Sequence, residues 1–197
     1  CRMGGIAKGS GMIHPNMATL LSFLTTDADI EPALLHEALT CAADRSFNML
    51  SVDGDTSTND TLAVMASGLC GNERITAKGP DFEAFCAALE ALCIALAKEL
   101  AKDGEGATRL IECTVTGALD EKAARGIAKS VICSSLVKAA VFGADANWGR
   151  VLCAIGYSGE TVDVTRVKVE FASPKGVILV CEQGAGVDFS EEIAKEI

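Results

Sequence analysis

The 197-residue chain is short of most features that announce a chemistry. It has two histidines, His14 and His36, and no Cys-x-x-Cys pair among its nine cysteines, so the spacings of zinc fingers and dithiol redox motifs are missing. Lysine and arginine total 17 against 27 aspartates and glutamates, a net charge of -10 with no basic cluster. Binding to nucleic acid needs such clusters to neutralise phosphates, so no nucleic-acid partner is expected. No apolar run approaches the roughly 20 residues that span a bilayer, and no membrane partner is expected either. A secretory leader pattern is also missing, which together with the thiols predicts a cytoplasmic protein. No metal and no resident cofactor are expected.

What is present suits a packed interior. Hydrophobic residues make up 49% of the chain and charged residues 22%, a balance that favours a folded core over disorder. Aromatics are scarce, with one Trp, one Tyr and seven Phe, so Ala, Val, Leu and Gly must do most of the filling. The cysteines, at 1, 41, 70, 86, 93, 113, 133, 153 and 181, fall mostly within apolar runs and are expected to be buried reduced thiols. The chain opens on Cys1 and stops inside a segment that begins with a helix cap, Ser190. A longer precursor is therefore expected.

Periodicity gives the coarse order of elements. An apolar run, Leu20 to Leu24, precedes a helix expected from Asp29 as cap with Pro32 in its first turn. A polar loop over 53–60 leads into a short helix expected over Leu62, Val64 and Met65, ended by Gly68. Phe82, Phe85, Cys86, Leu89, Leu92, Cys93, Leu96 and Leu100 form the clearest helical stripe, over Pro80 to Lys102. Residues 111–116 alternate as a half-buried strand, and Asp120 caps a helix expected to run to about Ala140. A helix from near Asn147, strands over Val162 to Phe171 and Gly176 to Cys181, and the Ser190-capped helix complete the pattern. The fold class is α/β, with a domain over 1–111 and a smaller α+β domain over 112–197.

Four segments could carry chemistry. Lys8-Gly-Ser-Gly-Met-Ile-His-Pro-Asn-Met-Ala-Thr19 places a hydroxyl after a turn and before an apolar run. Thr19 is either an ordinary strand residue or a nucleophile. In the second case, breaking the Ala18-Thr19 bond frees an α-amine on the same residue as the hydroxyl. Such an amine, with a pKa of about 7.7–8.0, can serve as the base. Lys8 is either a solvated lysine or a cation for a substrate carboxylate, and His14 reads as a loop residue. The 53–60 loop resembles a calcium loop only in its alternating carboxylates: counted from Asp53, the required glycine falls on Thr58 and the bidentate glutamate on Val64. It reads instead as a helix-capping loop or a brace for an active site. Glu105, between Gly104 and Gly106, is either a turn residue or a carboxylate for a substrate ammonium. Residues 143–150 have neither P-loop nor dinucleotide glycine spacing.

Taken together, KGSGMIHPNMAT (8–19), SVDGDTSTND (51–60), DGEGAT (103–108) and SSLVKAAVFGADANWGR (134–150) resemble the ornithine acetyltransferase, or glutamate N-acetyltransferase, family of arginine biosynthesis. Leu20, Ala139 and Ala146 stand where the family commonly has Met, Thr and Pro. The resemblance implies layered helices and sheets of the type shared with self-processing aminopeptidases. It also implies a precursor that cleaves itself between Ala18 and Thr19, so that residues 1–18 end an α chain and a β chain begins at Thr19. Thr19 would take an acetyl group from N-acetylornithine and give it to glutamate, with Lys8, Thr19 and Glu105 binding substrate. Acetyl-CoA is a second donor in bifunctional members, and the implied assembly is an α2β2 heterotetramer of cleaved chains. Two rivals remain open: a self-processing amidohydrolase or aminopeptidase with the same nucleophile, and a non-catalytic relative.

Overall fold

The structure, a computed structural model, describes residues 1–14 and 20–197. Pro15, Asn16 and Met17, and the expected cleavage site at Ala18 and Thr19, lie outside the described residues. The chain is mixed α/β and divides into two compact units, Cys1–Leu110 and Ile111–Ile197.

The first unit is built on a three-stranded sheet of β1 (Met3–Lys8), β2 (Leu21–Thr26) and β3 (Thr61–Ala66), in that order. β1 runs antiparallel to β2, pairing Lys8 with Leu21 and Met3 with Thr26. β3 lies parallel to β2, pairing Leu21 with Thr61 and Thr26 with Ala66. A parallel neighbour requires a crossover, which α1 (Pro32–Arg45) supplies. Along β2, Ser22, Leu24 and Thr26 are buried, while Leu21, Phe23 and Thr25 are exposed. That is the two-residue alternation of a strand with one covered face. The long helix α2 (Pro80–Lys102) buries Phe82, Phe85, Leu89, Cys93, Ala97 and Leu100, joining Leu24 and Phe47 in one core. It packs closely on β1 at Gly5, where a side chain would run into Leu24 and Leu96.

The second unit has its own core around Ile127, Val131, Ala154, Val180 and Cys181. Helices α3 (Glu121–Cys133), α4 (Ser135–Phe142) and α5 (Trp148–Gly156) precede an antiparallel meander. The meander comprises β4 (Val169–Ser173), β5 (Gly176–Glu182) and β6 (Ala185–Gly186), and α6 (Glu191–Glu196) follows, capped by Ser190 as expected.

Several expectations need correction. Residues 61–66 form a strand, not a helix, because the edge of β2 offers a full ladder of partners to a short apolar run that fits either period. Residues 111–116 form no strand. Cys113 and Val115 do pack inward while Glu112, Thr114 and Thr116 face out, so the alternation is real, but it has no ladder. Asp29 does not cap α1. Glu31 occupies that position without a side-chain bond, while Asp29 pairs with Arg74 at 3.6 Å and Ile30 bridges Ile75. The helix expected to reach Ala140 breaks at Ser134, whose hydroxyl accepts from the Val137 N–H at 3.3 Å and starts α4. Of the strand expected over 162–171 only Val169 onward is β; Val164–Arg166 is a 3-10 turn capped by Asp163. All nine cysteines are free, but only Cys93 and Cys181 are buried, and Cys1, Cys41 and Cys153 are exposed.

Candidate active site

Three of the four motif segments meet in the first unit. Past β1 the chain turns through Gly9 and Gly11, and Met12 sits at φ 57°, a left-handed conformation uncommon outside glycine. Asp53 holds that turn in place. One carboxylate oxygen accepts from the Ile13 N–H at 3.0 Å and from Asp55 at 3.0 Å, and the other accepts from the Met12 N–H. Desolvation pulls the Asp53 carboxyl upward, but the N–H groups of Asp55, Met12, Ile13 and its own backbone outweigh it. The group therefore lies below its ordinary range.

The same two segments are tied on both sides of His14. The Val52 N–H donates to the Ile13 carbonyl at 2.7 Å, His14 Nδ1 lies 3.0 Å from Ser51 Oγ, and the Thr56 hydroxyl donates to the His14 carbonyl at 2.9 Å. The 53–60 loop thus holds the Met12–His14 turn, and it caps no helix, because Thr61–Ala66 after it is a strand. Its grip comes from a carboxylate as well as from hydroxyls.

Glu105 closes the arrangement. Its N–H donates to the Ser10 carbonyl at 2.9 Å, and its carboxylate lies over the α-carbon of Gly11, where any side chain would collide with it. Gly104 fits against Val52 in the same way, with a Cβ there only 2.9 Å from a Val52 methyl. Gly11 and Gly104 are therefore close-approach points, and Glu105 comes against the turn that begins just after Lys8. Lys8 itself is the last residue of β1, exposed and paired with Leu21. Ala18 and Thr19 are outside the described residues, but Leu20, which follows Thr19, is buried.

Asp60 was not singled out as a site residue by the sequence, beyond its place in the loop. Both its carboxylate oxygens are shut off from solvent and make no hydrogen bond. Burial pushes its carboxyl up to about 6, and the nearby Leu20 N–H, without full hydrogen-bond geometry, restrains the rise. No sequence pattern signals such a group; only its surroundings do.

The fourth segment, 134–150, lies in the second unit and has a structural role there. Ser134 caps α4, and Asn147 caps α5 by accepting from the Arg150 N–H at 3.1 Å. The Arg150 guanidinium donates to the Leu136 carbonyl at 2.9 Å and staples the two helices. Separately, the ligand-type atoms of Cys1, Asp27 and Cys70 lie within 4.8 Å of one another, a grouping that their distant positions in sequence could not announce. Among the described residues, no helix is long and apolar enough to cross a membrane.

Known proteins share both the sequence and the fold of this chain. The ArgJ family matches residues 1–197. The arginine biosynthesis bifunctional protein ArgJ 1 of Clostridium acetobutylicum is 52% identical over 98% of this chain and 47% of its own length. The ArgJ of Geobacillus kaustophilus is 55% identical over 98% of this chain and 46% of its own. The crystal structure of ArgJ from Bacillus halodurans superposes with a TM-score of 0.81 at 48% identity, covering 88% of this chain and 80% of that one. The chain spans about half the length of the curated relatives it matches. With the whole of its length matched and its fold shared, the chain belongs to the ArgJ family.

Proposed function

We propose that the protein is an N-acetyltransferase of arginine biosynthesis that cleaves itself at Ala18-Thr19 and carries acetyl groups on Thr19. The observation that carries this reading is the convergence of Asp53 and Glu105 on the turn between Lys8 and Ile13, the segment that leads to Thr19. A loop fixed by so many bonds is what a reacting group needs if it is to be held in one geometry.

In cleavage, the Thr19 hydroxyl oxygen attacks the Ala18 carbonyl carbon. The C–N bond breaks, the hydroxyl proton passes to the departing nitrogen, and water then hydrolyses the ester. The freed α-amine is the base for catalysis. It takes the hydroxyl proton as Thr19 Oγ attacks the acetyl carbon of N-acetylornithine, and returns it to the ornithine nitrogen as that leaves. Glutamate reverses the sequence and departs as N-acetylglutamate. Lys8 suits a substrate carboxylate, and Glu105 a substrate ammonium. The reading includes a cytoplasmic α2β2 assembly of cleaved chains. The word bifunctional in the relatives' names fits acetyl-CoA as a second donor.

The test is made on the full-length protein. Glutamate acetylation dependent on N-acetylornithine is expected, and Thr19→Ala is expected to abolish it. Free acetate released without any need for glutamate would instead favour a hydrolase, and full transfer by Thr19→Ala would remove Thr19 from the chemistry. Formation of N-acetylglutamate from acetyl-CoA tests the second donor.

A further inference from the structure

We propose that Cys1 and Cys70 form a thiol modification site, which a small disulfide compound oxidises to a Cys1–Cys70 disulfide across one end of the first unit's sheet.

The two residues come from opposite edges of that sheet. Cys1 stands just before β1, Cys70 follows β3, and β2 lies between those strands. Asp27, just past the end of β2, ties both down. Its carboxylate accepts from the Arg2 N–H at 2.6 Å, and its N–H donates to the Arg2 carbonyl at 3.4 Å. Its carbonyl accepts from the Cys70 N–H at 2.8 Å. Asn72 lies alongside, its amide nitrogen donating to the carbonyls of Asp29 and Glu73 at 3.0 and 2.7 Å. The Asn72 oxygen accepts from the Asp29 N–H at 2.9 Å and from the Cys70 and Cys1 thiols at 3.3 and 3.6 Å. The frame around both thiols is thus held by bonds that owe nothing to any link between the sulfurs.

That frame sets the sulfurs 2.6 Å apart. Unbonded carbons, which are smaller than sulfur, approach to about 3.5 Å, so this pair stands nearer to bonding than to contact. Two chemistries bring thiols together. A disulfide needs about 2.05 Å, a closure of about 0.6 Å. A tetrahedral zinc at about 2.3 Å from each sulfur would hold them about 3.8 Å apart, an opening of about 1.2 Å. The Asp27 carboxylate comes within 4.8 Å of both sulfurs and would suit a metal, but the spacing of the sulfurs favours the covalent bond.

The exchange has two steps. The thiolate of Cys1, the exposed member, attacks one sulfur of oxidised glutathione, forms a mixed disulfide and releases one glutathione thiolate. The Cys70 thiolate then attacks the Cys1 sulfur and releases the second. Two cysteine thiols are oxidised and one glutathione disulfide is reduced. The two protons lost by the cysteines pass to the leaving thiolates. In a reducing compartment the pair rests as thiols, and the bond forms on oxidation. Residues 1 and 70 also fall on opposite sides of the Ala18-Thr19 bond. On the proposed cleavage, which this consequence alone requires, the disulfide joins the two chains reversibly.

The experiment incubates the full-length protein with oxidised glutathione and maps it by mass spectrometry without reduction, with zinc content measured before and after. Cys1→Ser, Cys70→Ser and Cys41→Ser are treated alike, Cys41 being an exposed cysteine elsewhere. Wild type and Cys41→Ser are expected to yield a Cys1–Cys70 linked peptide that dithiothreitol removes. It should exceed glutathione-bearing peptides of either residue about tenfold or more, because the second thiol is already in place. Cys1→Ser and Cys70→Ser should yield no such link. The proposal fails if wild type keeps glutathione on Cys1 or Cys70, or keeps both as free thiols. One zinc per chain, released as the thiols oxidise, would make the site a metal centre and overturn it too. A linked peptide in a chain that stays uncleaved would support the disulfide and overturn the cleavage alone.

Discussion

Replacing Asp60 by Asn should stabilise the uncleaved protein, an unusual direction for a buried substitution. The Asp60 carboxyl is raised from 3.8 to about 6 chiefly by desolvation. Each unit corresponds to about 1.4 kcal/mol, so keeping this group ionised above pH 7 costs about 1–3 kcal/mol once screening around this half-buried residue is allowed for. A carboxyl whose pKa is raised on folding contributes stability that is present below about pH 4 and lost as pH rises through about 6. Asparagine has the same shape and does not titrate. In a Thr19→Ala background, where the Ala18-Thr19 bond stays closed, urea titrations at pH 4.5 and pH 8 should show Asp60→Asn gaining about 1–3 kcal/mol on its parent between the two. The reasoning is refuted if Asp60→Asn is destabilising by the same amount at both pH values, because the carboxylate would then have a stabilising partner already.

Other perturbations test the frame around the turn. Asp53→Asn should cost about 1–2 kcal/mol at neutral pH by weakening the bonds to Met12, Ile13 and Asp55. Because the Asp53 carboxyl is depressed, its contribution is present above about pH 4 and fades as pH falls through its lower folded value, so parent and variant should converge in acid denaturation. Gly104→Ala would put a methyl 2.9 and 3.0 Å from the two Val52 methyls and should cost about 1–3 kcal/mol. Val52→Ala should recover much of that loss in a double-mutant cycle, and simple additivity would show that the two do not touch. Ser134→Ala should cost about 1 kcal/mol through loss of the α4 cap, measured by denaturant titration.

The sequence was most readable where local signals agree. Pro80 at the start of α2, its apolar stripe and Gly104 beyond its end all mark the same helix, and its bounds follow. Asn147 and Ser190 likewise announce α5 and α6 by their side-chain chemistry. It was least readable where tertiary partners decide. Thr61–Ala66 is a strand because β2 lies beside it, and 111–116 is not one because no ladder partner does. The site divides in the same way. The glycines, Lys8 and Glu105 stand in recognisable motifs, whereas the clamp of Asp53 depends on a fold-made contact across 40 residues. Asp60 looked like any polar loop residue, since isolation from solvent and from partners leaves no trace in composition or spacing.

The central claim is that Thr19 is both the cleavage point and the acetyl carrier. The most direct measurement is the intact mass of the purified full-length protein, before and after incubation with N-acetylornithine, with peptide mapping of any adduct. The account predicts two chains, the second beginning at Thr19 and gaining one acetyl group at that residue. A single uncleaved chain, or an acetyl group on any other residue, would contradict it.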